Sequence, residues 1–305
     1  MYKLIFKYHK IFLNGFKVLT VFLALYYLWR QREIWSAFTL PAGVEIFKIL
    51  LILTGFSLLN WFFEIKKWQG LAGHIRTITW TEAAKQTLMS FSVSLLTPNR
   101  IGEYGAKSVF YAQPDYKKVW ALTFASNFAQ LFWTFIMGVA VLLFWWQHPA
   151  VKAYISQWHL PFNAVFLGII AIGLIAFVIY IKHLKSKNYL LLHKTVWQQS
   201  LFYAGVRYAV FSSQFALLLY FLSHNIGLNF IYPAVFLSYF MASLIPVLAF
   251  FDWAVKSSVS VLVFGMINMP GALVFNVVSL MWLANFLIPF LAGLVLIWHF
   301  KFHIK

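Results

Sequence analysis

The chain has 305 residues, with 24 Lys and Arg but only seven Asp and Glu, so each acidic side chain can be weighed for chemistry. Glu103 and Asp252 stand out because each lies four residues before a lysine, Lys107 and Lys256. On a helix that spacing sets each pair on one face. Both pairs flank a helix break: Pro98, Gly102 and Gly105 in the first case, Pro246 in the second. One account is self-neutralisation, each pair cancelling its own charge so that a polar segment can be buried. The other is transport, because ionisable side chains at membrane depth are costly and mark substrate or ion pathways.

The break at Thr97-Pro98-Asn99-Arg100 adds chemistry of its own. Irregular backbone at membrane depth is tolerated only against protein or a water-filled cavity. A half-helix starting near Asn99 and Arg100 would turn free N–H groups and a guanidinium toward one point, which suits an anion such as a phosphate headgroup. Arg207 offers a further cation, about 12 Å along its span, or else a structural partner for Asp252 or a carbonyl. The candidate substrate-binding set is therefore Arg100, Glu103, Lys107, Arg207, Asp252 and Lys256. Glu33, Glu45, Glu64, Glu82 and Asp115 fall at loops or helix ends and read as solvated or interfacial.

Other chemistry is excluded by what the sequence omits. With no cysteine there is no disulfide, thiolate zinc site or catalytic thiol. The nine histidines have no metal-ligand spacing. Walker, HExxH, GxSxG and Asp-rich diphosphate motifs are missing, so no catalytic residue, metal or cofactor is expected.

The elements that must position these residues are membrane helices. The chain is 62% hydrophobic and 10% charged, outside the soluble globular range. Apolar runs predict full spans near 11–29, 46–63, 119–145, 162–181, 199–222 and 271–300. Trp145, Trp146, Trp158 and Trp298 read as interface anchors. Segments 83–112 and 231–268 are broken, and each predicts a re-entrant hairpin. Eighteen basic residues then fall on one side, with Arg30, Arg32, Lys48 and Lys152 opposite and Arg207 and Lys256 within the membrane. The net charge of +17 thus reports topology and anionic headgroups rather than nucleic acid, and the positive-inside rule places both termini in the cytoplasm.

The expected fold is all-α, with about six spans plus two hairpins, in two membrane repeats: 1–149 and 150–305. Each half reads span, span, hairpin, span, in opposite orientation, the usual plan of inverted repeats in transporters. At a constant offset of 149, Ser94, Glu103, Lys107, Ser108, Asn127 and Trp133 match Ser243, Asp252, Lys256, Ser257, Asn276 and Trp282. Tyr104 falls on Trp253.

The segment 94–111, SLLTPNRIGEYGAKSVFY, resembles the flippase-like transmembrane family of the lysylphosphatidylglycerol synthase/flippase proteins. Thr97, Pro98, Arg100, Gly102 and Glu103 match its Thr-Pro-x-Arg-x-Gly-Glu signature. A second feature, a proline followed by a Gly-Val-Arg-Glu-like stretch, resembles Pro246 with Ala254-Val255-Lys256-Ser257, although Ala, Lys and Ser depart from it. The resemblance implies a stand-alone inner-membrane protein that moves a lipid or lipid-linked headgroup between leaflets. The departures detach it from aminoacylated lipid in particular.

The expected function is movement of a phosphate-bearing lipid, with a membrane lipid as partner. The alternatives are an ion-coupled small-solute transporter, with Glu103 or Asp252 titrating, and a membrane-embedded enzyme or accessory subunit acting on lipid-linked substrates.

Overall fold

The computed structural model describes residues 44–95, 97, 100–145, 149, 193–223, 226–245 and 251–300, together with Tyr26 and Trp29. The regular elements among them are helices: α1 (Val44–Ala72), α2 (Trp80–Leu95), α3 (Gly102–Ser108), α4 (Tyr116–Trp145), α5 (Lys194–Ser223), α6 (Leu228–Ser243), α7 (Asp252–Gly265), α8 (Gly271–Trp282) and α9 (Ile288–His299). A short 3-10 turn, Gln113–Asp115, leads into α4, and a π-helical segment, Leu283–Leu287, joins α8 to α9.

Four helical units are long and apolar enough to cross a membrane: Ile46–Ala72, Gln113–Leu143, Lys194–Ser223 and Gly271–His299. The chain is an all-helical membrane protein. Unlike a soluble bundle, the spans carry large apolar side chains outward; Leu58 is 72% exposed and Trp298 87%. Those surfaces suit lipid, where backbone polar groups must be satisfied inside the helix. The predicted spans 11–29 and 162–181 lie outside the described residues, apart from Tyr26 and Trp29.

The centre of the fold is the antiparallel pair α1 and α5. Gly70 lies against Gln199 at one end. Arg207 donates to Asn60 in the middle, and Gln214 Nε2 donates to Leu53 O and Ser57 Oγ at the other end. Around this pair, α9 crosses α2 and α4 crosses α6. Glycine permits both crossings: Gly293 faces Ser92 and the Leu88 carbonyl, and Gly138 faces Phe240. A Cβ at either position would overlap its neighbour, so only glycine allows these approaches.

Neither broken segment is a continuous helix. The first arm, α2, stops at Leu95 and α3 begins at Gly102; α6 stops at Ser243 and α7 begins at Asp252. Pro98 and Pro246 lie outside the described residues, within these two gaps. Both first arms finish alike, Ser94 donating to Phe91 O and Ser243 to Phe240 O, each at 2.7 Å. The gap before α3 is tightened by Thr97, whose hydroxyl accepts from Gly102 N at 2.8 Å. A Cβ on Gly102 would lie 2.7 Å from Thr97 Oγ1 and 2.8 Å from Val93 O. Between them Arg100 adopts φ 57°, a left-handed conformation that is uncommon outside glycine. Gly105, predicted as part of the break, instead lies inside α3, and a Cβ there would meet nothing within 4 Å.

Candidate functional site

A cavity of about 750 Å³ lies where the two broken segments meet the α1–α5 pair. Of the six predicted site residues, Arg100, Glu103, Arg207, Asp252 and Lys256 line it. Lys107 is buried directly behind Glu103, their charges 2.8 Å apart. The helices supply a second set of lining residues: Asn60, Glu64 and Lys67 from α1, Asn127 and Gln130 from α4, and Asn285 from the π segment. Arg207 sits 13 residues into the 30-residue α5, about 20 Å from its start at 1.5 Å per residue, so the cavity lies beside the middle of that helix.

The Glu103–Lys107 pair is tightly held. The Glu103 carboxylate accepts from Lys107 Nζ at 2.8 Å and from Asn127 Nδ2 at 3.1 Å. Lys107 also stands 3.9 Å above the Trp68 ring, a cation–π contact. Trp68 is itself fixed to Gln86, which accepts from Tyr111 as well. This pair is therefore the most buried of the charge pairs in the site, and both its partners are satisfied.

The centre of the cavity wall is Glu64, which contacts both Lys67 (2.8 Å) and Arg207. Arg207 is further held by Asn60 at 3.1 Å through Nε and by Gln130 at 3.3 Å through Nη1. The partner of Arg207 is thus Glu64, not Asp252 or a lone carbonyl. The residues missed in the sequence are Glu64 and Lys67. The apolar run ends at Phe63, but α1 continues through Glu-Ile-Lys-Lys to Ala72, carrying Glu64 and Lys67 inward. Their spacing of three was the available signal, since i,i+3 neighbours share a helix face.

Asp252 and Lys256 face each other at 2.5 Å, with side chains 23% and 29% exposed. Lys256 lies over the Phe286 ring (4.8 Å) and Arg100 over Phe91 (5.6 Å), and the two rings are 5.8 Å apart. Arg100 forms no ion pair and no side-chain hydrogen bond with any described residue. It interacts electrostatically with Glu103 and, unfavourably, with Arg207. The proposed half-helix N-terminus contributes less than its sequence suggests: α3 has seven residues, and the Gly102 N–H is already taken by Thr97.

Outside the cavity, Arg76 and Glu82 form an exposed pair just beyond α1, and the Glu82 carboxylate holds the guanidinium above its ordinary value through a hydrogen bond. Among the described residues, no group of three or more His, Asp or Glu side chains is placed to hold a metal.

Fold and site together define an integral membrane protein with a charged cavity of about 750 Å³ among its helices. No protein-family model, curated protein or solved structure matches the chain.

Proposed function

We propose that this protein moves a phosphate-bearing lipid or lipid-linked headgroup between leaflets, the headgroup passing through the cavity while its tail stays in the bilayer. One observation carries the reading. Arg100, at the break between α2 and α3, lines the cavity with a guanidinium that makes no ion pair or hydrogen bond with a described residue. Exposed, and without an ion-pair partner among the described residues, it can take a ligand anion. Its planar fork suits a phosphate.

The proposal includes an inverted repeat with two re-entrant hairpins. Helix spacing supports it: Lys194 follows Val44 by 150 residues, Leu228 follows Trp80 by 148, Asp252 follows Gly102 by 150, and Gly271 follows Tyr116 by 155. Packing supports it as well. The α9-on-α2 crossing at Gly293 and Ser92 is matched by α4 on α6 at Gly138 and Phe240. Within the antiparallel α1–α5 pair, Glu64 with Arg207 and Gln214 with Ser57 occupy equivalent places, each pair related by 150 residues. The sequence echo weakens in the last element: Asn127 binds Glu103, whereas Asn276 Nδ2 is buried without a partner among the described residues.

The test is lipid scrambling by purified protein in proteoliposomes, with stability measured in parallel. Arg100→Lys keeps the charge but loses the bidentate fork. Losing one charge-assisted hydrogen bond, about 1.5–3 kcal/mol, corresponds to roughly a ten- to hundredfold slower movement. Unchanged rates in a well-folded Arg100→Lys protein would make the 97–103 segment scaffold and defeat the proposal.

A further inference from the structure

The charges around the cavity do not cancel, and the way they fail to cancel restricts the ligand. Three carboxylates face five cations: Glu64, Glu103 and Asp252 against Lys67, Arg100, Lys107, Arg207 and Lys256. Glu103 with Lys107 and Asp252 with Lys256 are neutral pairs. Glu64 serves two cations at once, leaving one positive charge on the Lys67–Glu64–Arg207 group. Arg100 is the second excess charge. These two excesses also repel each other, since Arg100 and Arg207 interact electrostatically.

The donors left over point the same way. The whole guanidinium of Arg100 and Nη2 of Arg207 donate to no described residue, and both side chains line the cavity. By contrast, every carboxylate in the cavity already has a cation within 2.8 Å or in closer contact. An ammonium group on a ligand would meet only carboxylates that already have a cation beside them, and would add to a positive field.

We infer that the cavity selects a dianionic phosphate, a monoester or a diphosphate, bridged between Arg100 and Arg207, and rejects zwitterionic and cationic headgroups. The inference rests on the proposed lipid-moving role only for its setting, because the charge count concerns binding alone. A phosphate monoester reaches nearly two negative charges above its second pKa, near 6. It would neutralise both excess cations, relieve their repulsion and meet two guanidinium forks. An aminoacylated headgroup, whose single phosphodiester charge is outweighed by its ammonium groups, would leave the excess positive charge uncancelled.

The decisive measurement is binding to the purified full-length protein in nonionic detergent at pH 8, followed by intrinsic tryptophan fluorescence. The probes are short-chain phosphatidate, phosphatidylglycerol, phosphatidylethanolamine and lysylphosphatidylglycerol, with inorganic phosphate as competitor. Phosphatidate should half-saturate at about a tenfold lower concentration than phosphatidylglycerol, the worth of one further charge-assisted contact, and the other two lipids should bind more weakly still. Arg100→Gln, at an exposed position that makes no ion pair or side-chain hydrogen bond with a described residue, should abolish the preference for phosphatidate over phosphatidylglycerol. Lys67→Leu should do the same by leaving Glu64 and Arg207 as a neutral pair. Equal binding of phosphatidylglycerol or phosphatidylethanolamine by the unaltered protein would overturn the inference, as would a preference that survives Arg100→Gln. Competition by inorganic phosphate would identify free phosphate as a source of the dianion, and its failure to compete would identify the lipid headgroup; both support a dianion site. Phosphatidate that binds in detergent but is not moved across vesicles would refute the transport role and leave the binding inference standing.

Discussion

Glu64→Gln should be the most destabilising conservative change in the site, because Glu64 is the one carboxylate shared by two cations. Its side chain is 12% exposed, with Lys67 at 2% and Arg207 at 19%. Replacing it by an amide leaves two buried cations facing each other. Removing one partner of a buried ion pair costs about 3–5 kcal/mol, and no other described carboxylate contacts either cation. Lys67→Leu should cost less, about 1.5–3 kcal/mol for one charged hydrogen bond, since Arg207 still holds Glu64. The packing suggests a rescue. The equivalent place on the opposite side of the α1–α5 pair carries Gln214, bonded to Ser57 at 2.9 Å, with Leu217 at the position matching Lys67. The triple change Glu64→Gln, Lys67→Leu, Arg207→Ser converts the charged side into its neutral counterpart. Replacing a buried ion cluster with neutral groups is often close to neutral in stability, so the triple variant should return to within about 1–2 kcal/mol of the native protein while losing lipid movement. Equilibrium unfolding in mixed micelles with increasing SDS, read by tryptophan fluorescence, measures all three. A Glu64→Gln protein as stable as the native one would refute the shared-carboxylate argument. So would a triple variant no more stable than Glu64→Gln alone.

The glycines separate into two classes. Gly293→Ala and Gly138→Ala should each destabilise by about 1–3 kcal/mol through overpacking at the helix crossings, whereas Gly105→Ala, with open space and helix on both sides, should stabilise by about 0.5–1 kcal/mol; thermal melting in detergent distinguishes them. In a chain without native cysteine, Asn188→Cys should resist an impermeant maleimide added to intact cells and react after permeabilisation, as the positive-inside topology requires. Labelling from outside would reverse the assigned orientation.

The positions of the two breaks were legible from proline, glycine and paired charges, because those residues act locally on the backbone. Four of the six predicted spans fall on long apolar helices for a similar reason: length and apolarity are properties of a single segment. What escaped was set by packing. Glu64 reads as interfacial when α1 is ended at its first charge, and only the neighbouring α5, bringing Arg207 opposite, makes it a buried residue. Thr97 looks like part of a binding signature, yet its hydroxyl closes the turn onto Gly102. The signature therefore divides: Thr97 and Gly102 shape the break, Glu103 lines the cavity while anchoring α3 to α4 through Asn127, and Arg100 lines it without an ion pair to any described residue.

In the proposed inverted repeat, that division explains how matched helices can hold a one-sided site. Two equivalent crossings at Gly138 and Gly293 and two equivalent serine-terminated arms build the frame. The polar residues then differ across it. One side of the central pair has Glu64 and Arg207, and the other has Gln214 and Ser57, with Asn285 donating to Gln214 at 3.0 Å and joining Asn60. The buried pair Glu103–Lys107 fixes one broken segment, whereas Asp252–Lys256 stays partly exposed in the other. The proposed transport role needs similar packing on both sides of the central pair, since unequal interfaces would favour one state strongly. A ligand site needs the opposite, an excess of one charge at one place. Crossings on glycines, with an excess cation on the Lys67–Glu64–Arg207 group, would meet both requirements of the proposed role in the same set of helices.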